Sequence, residues 1–237
     1  MDDVHFAQAT IVPAPNDPTS AEFLAGPDVP VATPGDVVSL FSNEYTSTLN
    51  GNNGPDWDAA AVSEMQIDGG NTIKKFDATT WAIFDGLSTD LTGMDTLHIS
   101  LYMTASSEFE VKLPDLTVGG VEGFYYIPAD ALPADQWSTI EIPLSSFSAG
   151  GRDTGVALPA DHVVSQVVLK PTAGTQTFYM DDLYFSAAPA PVNVAPEFAA
   201  PTVTVTVDEN DTAVYQASAT DGDGDGLTYT LGGTDQA

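Results

Sequence analysis

The sequence predicts an all-β protein, a jelly-roll β-sandwich followed by part of a second β-sandwich repeat, and three observations carry that expectation. Apolar and polar residues alternate at period two in short runs, most clearly Leu97, Ile99, Leu101 and Met103 against His98, Ser100 and Tyr102. The runs are separated by clusters of glycine, asparagine, aspartate and proline, which supply turns. No segment sustains the apolar period of about 3.6 that a packed helix needs.

The chain opens with Met1-Asp2-Asp3-Val4-His5-Phe6, a close copy of Met180-Asp181-Asp182-Leu183-Tyr184-Phe185, and both copies run into linkers rich in alanine and proline. Self-similarity of this kind marks tandem modules. Residues 1–6 are therefore expected to be the last strand of a preceding module, and the chain a piece of a longer multimodular protein. Residues 7–35 carry Pro13, Pro15, Pro18, Pro27, Pro30 and Pro34 with little apolar periodicity, which predicts extended or disordered linker.

From Asp36 to Ser186 strands are expected at Val37–Phe41, Thr72–Phe76, Thr80–Asp85, Thr96–Met103, Glu108–Leu113, Ser138–Leu144, Val163–Leu169 and Thr177–Phe185. Within them Phe109, Val111 and Leu113 share a face, as do Ile140, Ile142 and Leu144, and Pro143 marks a strand end or edge. That many short strands fits two packed sheets of jelly-roll type, although periodicity alone does not separate this from an immunoglobulin-like sandwich. Residues 187–194 form a second linker. Residues 195–237 start another β-sandwich, with strands at Pro201–Val207, Ala213–Ala219 and Leu227–Leu231, in a segment too small for a stable core of its own.

Of the 237 residues, 43% are hydrophobic and 9% aromatic, enough for a core, and no apolar run approaches the length of a membrane helix. Five basic residues stand against 34 acidic ones, a formal charge of -29, so phosphate backbones are repelled and nucleic acid is excluded as a partner. Sulfated or uronate-rich polysaccharides are disfavoured on the same ground, since only Lys74 and Lys75 make a local basic pair. Neutral ligands and cations are left. The absence of cysteine removes disulfides and thiolate chemistry, and His5, His98 and His162 lack metal-ligand spacing.

Several stretches now carry a resemblance. Val37-Val38-Ser39-Leu40-Phe41-Ser42-Asn43-Glu44-Tyr45, Trp57, Leu91-Thr92-Gly93-Met94-Asp95-Thr96-Leu97-His98-Ile99, Trp137 to Leu144 and Tyr179 to Phe185 resemble carbohydrate-binding modules appended to secreted bacterial polysaccharidases, such as laminarinases and related family 16 glycoside hydrolases. The C-terminal piece is similar to bacterial cadherin-like repeats through Asn193-Val194-Ala195-Pro196, Asp208-Glu209-Asn210 and Ala219 to Tyr229. The resemblance implies a secreted or cell-surface bacterial protein that is not an enzyme.

Structural calcium is the expected cofactor. Asp221, Asp223 and Asp225 alternate with glycine on a tight loop, and hard cations prefer clustered oxygens. Gly232 stands where an EF-hand needs its bidentate acid, so the loop is of another type. The cadherin resemblance implies Glu209, Asp221 and Asp223 as ligands. The sugar-binding resemblance implies a second site at Asn43, Glu44 and Asp182.

A sugar needs a flat apolar surface for the C–H face of a pyranose, edged by groups that bond its hydroxyls. Trp57, flanked by Asp56 and Asp58 after a Gly/Asn loop, meets this best. Trp81, Tyr45, Tyr126 and Tyr125 follow, while Trp137 precedes a core strand and reads as structural. Retaining glycosidases need two carboxyls about 5 Å apart on a rigid scaffold. Glu108 and Glu110 share a strand face but read as solvated acids, and the Glu-x-Asp-x-x-Glu pattern of family 16 enzymes is missing. The expected function is non-catalytic binding of a neutral polysaccharide, with β-1,3-glucan of the laminarin kind as first guess, beside neighbouring modules and without membrane insertion. The alternative is a calcium-stiffened adhesin or spacer that touches no glycan.

Overall fold

The structure is a computed structural model and describes residues 17–47, 61–117, 120–159 and 162–188 of one compact unit. In a second unit it describes residues 195–200, 202–206, 208–210, 216, 218–222, 224 and 226–230. The first unit is an all-β sandwich of jelly-roll type. Its strands are β1 (Val37–Phe41), β2 (Ala61–Gln66), β3 (Thr72–Thr79), β4 (Ala82–Phe84), β5 (Thr89–Asp90), β6 (Met94–Met103), β7 (Phe109–Pro114) and β8 (Glu122–Ile127). They continue with β9 (Trp137–Pro143), β10 (Ser148–Ala149), β11 (Val163–Val164), β12 (Val167–Pro171) and β13 (Gln176–Ala187).

One sheet runs β2-β3-β13-β6-β9, with β1 also paired to β13, and the other runs β10-β8-β7-β12-β4. The strand pairings within these two sheets are antiparallel. Between the sheets lie Leu97, Ile99, Leu101 and Met103 of β6, Phe178, Met180, Leu183 and Phe185 of β13, and Phe109, Val111 and Leu113 of β7, all fully buried. The period-two reading of β6, β7 and β9 therefore holds, and Pro143 ends an edge strand where its missing N–H costs no ladder bond. The run Val163–Leu169 is two strands and not one: β11 pairs with β5 and β12 joins the main sheet, with the chain redirected at Ser165 and Gln166, whose amides bond the Pro114 carbonyl. Two strands escape the alternation test. β2 divides its apolar side chains between two faces, Val62 against the core between the sheets and Met65 in the cluster around Phe23, and β8 carries Gly123 where the pattern wants a side chain, because Leu158 packs into that space.

Part of the expected linker is folded. Helix α1 (Ala21–Ala25) is capped by Ser20, whose hydroxyl accepts from the Phe23 amide, and it lowers Phe23 onto the outer face of the six-stranded sheet. There Phe23 is fully buried, edge-on to Tyr102 and Tyr179 at 4.8 Å each and stacked on Trp137 at 6.1 Å. The Trp137 indole donates to the Phe23 carbonyl, and Tyr179 bonds Asp17. Proline-rich composition hid this, because one aromatic plug and a cap are enough to dock a strap once the sheet offers a receptor. Gly26 (φ 77°) then turns the strap so tightly that a Cβ would lie 2.8 Å from Ile67.

In the second unit, β14 (Glu197–Phe198) pairs with β15 (Ala219–Thr220), and Phe198, Leu227 and Tyr229 border a groove of about 580 Å³. The strand expected over Pro201–Val207 is not formed by residues 202–206, nor that over Leu227–Leu231 by residues 227–230. Alternation prepares two faces, but a strand forms only against a bonding partner, and the described residues offer none there.

Candidate functional site

The outer face of the five-stranded sheet brings together aromatic and charged side chains from three strands and a loop. Register places Tyr126 of β8 beside Glu110 of β7 and Glu110 beside Lys170 of β12; one step along, Phe124, Lys112 and Val168 form a second row. These residues alternate with core residues on the same strands, so they face outward. Tyr126 donates to Glu110 Oε2 at 2.6 Å, and Lys170 Nζ lies 3.9 Å from Glu110 Oε1. Burial, with the Glu110 carboxylate against its hydroxyl, pushes the Tyr126 phenol up to about 12. Lys112 stands over the Phe124 ring at 4.7 Å and pairs with Glu122 at 3.1 Å.

Arg152 enters from the loop after β10. Its two terminal nitrogens donate to the two oxygens of Glu108 at 2.8 and 2.7 Å, and its guanidinium lies 3.9 Å over the Tyr126 ring. That pairing holds the Glu108 carboxyl below its ordinary range, so it stays ionised at neutral pH and is no proton donor. Glu108 and Glu110, expected to be solvated, are instead engaged by cations and a phenol.

Three of the five basic residues thus share one surface, each beside a glutamate. The supposed basic pair does not exist, because neighbours on a strand point to opposite faces. Lys74 is buried on the core side, bonded to Glu64 at 2.9 Å and over the Phe41 ring, while Lys75 faces outward to Asp17. Sequence reading missed Phe124, Lys112, Lys170, Arg152, Glu108 and Glu110 as a group. The available signal was the shared parity of Glu108, Glu110 and Lys112 on one alternating strand; Arg152 stands on a loop and carries none.

Trp81 is half-buried at the corner where the chain leaves β3 for β4, the edge strand of this sheet, and the Thr79 hydroxyl bonds both its amide and its carbonyl. Tyr125 faces inward against Phe147. Tyr45 belongs to the other sheet, edge-on to Tyr184 at 5.0 Å with its hydroxyl on the Ala32 carbonyl, so it does not join Trp81 and Tyr126. Trp57, Asp56 and Asp58 lie outside the described residues. Trp137 has the structural role expected of it.

Of the residues expected to hold calcium after β1, Glu44 and Asp182 share the Ser42 hydroxyl, while Asn43 turns its amide to Asn71 and the Thr72 carbonyl. A bulge in β13 keeps Met180 and Leu183 in the core while Asp181 and Asp182, between them, are both almost fully buried, Asp182 at φ 51°. Asp182 accepts from the Ser42 hydroxyl at 2.8 Å, and that hydroxyl also meets Glu44 at 3.0 Å. Asp181 accepts from the Asn71 amide at 2.9 Å, and Asn43 bonds Asn71 and the Thr72 carbonyl. Burial drives both carboxyls up, Asp182 further because Asp181 and Glu44 add like charge. The groups that face the two carboxyls are hydrogen-bond donors, the Asn71 amide nitrogen, the Ser42 hydroxyl and the Asp182 backbone N–H, and among the described residues no three acidic or histidine side chains converge on one point. In the second unit Glu209 is exposed, Asp221 half-buried, and Asp223 outside the described residues.

No protein-family model matches the chain, and no curated protein does. Among solved structures it is similar to a family 11 carbohydrate-binding module from Clostridium thermocellum in complex with a beta-1,3-1,4-mixed-linked tetrasaccharide, at 21% identity and TM-score 0.42, over 60% of this chain and 92% of that one. It is similar to a family 30 carbohydrate-binding module at 14% identity and TM-score 0.47, over 64% and 99%. A mutant of a family 29 module follows at 12% and 0.40, over 63% and 89%. At these values the fold rests on the strand register above. No helix among the described residues is long and apolar enough to cross a membrane.

Proposed function

We propose that the first unit binds a polysaccharide without catalysis, on the outer face of its five-stranded sheet, and so tethers a larger secreted protein to a neutral glycan, with β-1,3-glucan as the first ligand to try. The observation that carries this reading is the alternation of ring and charge across that face: Tyr126, Glu110 and Lys170 in one row and Phe124 and Lys112 in the next, with Trp81 at the edge. Rings offer flat apolar surface to the C–H face of a pyranose, and each carboxylate–cation pair offers acceptors and donors to hydroxyls while staying neutral overall. With strands about 4.8 Å apart, Tyr126 on β8 and Trp81 beside β4 are separated by roughly 14 Å, room for two to three sugar rings. Glu108, ionised and paired with Arg152, supports binding over hydrolysis. Trp57 with Asp56 and Asp58 is proposed as a second platform on sequence grounds, and calcium at Asp181 and Asp182 as a structural cofactor.

A single shallow face binds weakly, with Kd on the order of micromolar to millimolar, since stacking adds about 0.5 to 1.5 kcal/mol beyond burial and must offset lost rigid-body freedom. Tandem copies would raise the effective affinity. Affinity electrophoresis against laminarin, other β-glucans, agarose and alginate tests the reading. Retardation by at least one neutral glucan is expected, weakened about tenfold or more in Trp81→Ala, with Tm held within a few degrees. Unchanged migration on every gel would sink it, and so would equal loss of binding and fold.

A further inference from the structure

The ring best placed to receive a sugar on this face is already covered. Arg152 spans the Tyr126 ring at 3.9 Å while both terminal nitrogens hold Glu108, and its side chain is half-exposed. It rides on Gly150-Gly151-Arg152-Asp153-Thr154-Gly155, in which Gly150, Gly151, Asp153 and Gly155 all take positive φ. The base of that loop is fixed: Ala149 bonds Val156 at 2.7 Å, Gly150 bonds Glu122 at 2.7 Å, and the Thr154 hydroxyl bonds Ala149 at 2.8 Å. A short glycine-rich tip on a pinned base can swing one long side chain without disturbing the sheet. Three contacts hold the guanidinium, the two-pronged pair with Glu108, an approach of Nε to Asp153 at 3.4 Å and the ring beneath; the Glu108 pair is the firmest, and all three meet solvent, which screens them.

We infer that Arg152 is a displaceable lid on Tyr126, so that a sugar ring stacks on the phenol only after Arg152 leaves it. The inference rests on the glycan reading above and makes Arg152 a specificity-determining residue of the same face. In the closed state only the upper side of the guanidinium and the edge of Glu108 meet the ligand. In the open state Tyr126 adds a platform, and Glu108 is freed to accept hydroxyls. Affinity is then reduced by the fraction of time the lid is open, about three- to tenfold for holds of this strength.

The first experiment needs no glycan. Hydroxyl-radical footprinting, localised by tandem mass spectrometry, compares the oxidation rate of Tyr126 in the wild type, in Arg152→Ala and in Glu108→Gln, with inward-facing Tyr125 as internal reference. Tyr126 is expected to oxidise several-fold faster in Arg152→Ala and by an intermediate factor in Glu108→Gln, while Tyr125 holds constant. An unchanged Tyr126 rate overturns the lid. The second step measures laminarin binding: Arg152→Ala should bind about three- to tenfold tighter, and weaker binding overturns the lid by making Arg152 a direct contact. If Tyr126 is uncovered yet no variant binds any glycan, the glycan reading falls while Arg152 stands as the cover of that ring.

Discussion

Phe23→Ala should lower the melting temperature of the first unit by roughly 6 to 12 °C, from a loss of about 3 kcal/mol at 2 to 4 °C per kcal/mol for a domain of this size. Phe23 is wholly buried against Tyr102, Tyr179 and Trp137, so truncation leaves a cavity that the stiff sheet beneath cannot close. The alternative to a cavity is release of the strap, which exposes Tyr102 and Tyr179 and gives up the bonds from Trp137 to the Phe23 carbonyl and from Tyr179 to Asp17. Either route is costly, and the cheaper of the two sets the measured loss. Thermal unfolding followed by circular dichroism checks the magnitude, and hydrogen exchange at residues 20–26 tells the routes apart. A shift within about 1 °C would mean that the strap contributes nothing to the fold. Glycan affinity should not change, because the strap docks on the sheet opposite the proposed binding face.

Calcium should raise the melting temperature at pH 8 and much less at pH 5. The sign follows from the two buried carboxyls. Their folded-state pKa values lie above the ordinary carboxylate range, so the metal-free folded chain holds protons that the unfolded chain releases. That contribution is complete below the unfolded value near 4 and is lost as pH rises through the raised values. Metal-free protein is therefore weakened on the alkaline side, where a bound cation offsets the cost of burying the ionised carboxyls and of their mutual repulsion. At a calcium concentration about a hundred times Kd the gain is about 2.7 kcal/mol, or roughly 5 to 10 °C. Asp182→Asn should abolish most of this response while leaving the metal-free protein at pH 8 as stable as the wild type or more so, since it deletes one of two repelling charges. Differential scanning calorimetry with and without calcium at the two pH values decides it. Equal calcium responses in wild type and Asp182→Asn would move the cation elsewhere, and no response at pH 8 would remove it from the fold.

Much of the sandwich was legible in the residues because a sheet with one buried face writes its geometry into alternate positions. Leu97 to Met103 and Phe109 to Leu113 show this, and so does Trp137, whose place before an apolar run marked it as structural. The strap was not legible: Phe23 stands alone among prolines, and nothing local reveals that Tyr102 and Tyr179, on the face of β6 and β13 expected to meet solvent, form its receptor. The buried pair Asp181 and Asp182 was half legible. Asn43, Glu44 and Asp182 came from a resemblance, whereas Asn71 and the burial of Asp181 depend on a bulge that leaves no mark in a period-two pattern.

The candidate binding face divides the same way. Aromatic residues in or beside loops could be named as platforms, and Tyr126 proved to lie half-buried on the outer face of its sheet while Tyr45 proved to pack on the other sheet. The cations told against the simple reading, since Lys74 and Lys75, adjacent in the chain, are parted by the pleat, and Lys112, Arg152 and Lys170, distant in the chain, are brought to one surface.

By itself the sequence determined the class of fold, the excess of negative charge and the absence of thiol chemistry in this stretch, because each follows from composition or from contacts a few residues apart. Only the tertiary structure decided which side chains work together, since a functional surface is set by the order and register of strands, and hydrogen bonding between strands joins residues with no regard to their separation along the chain.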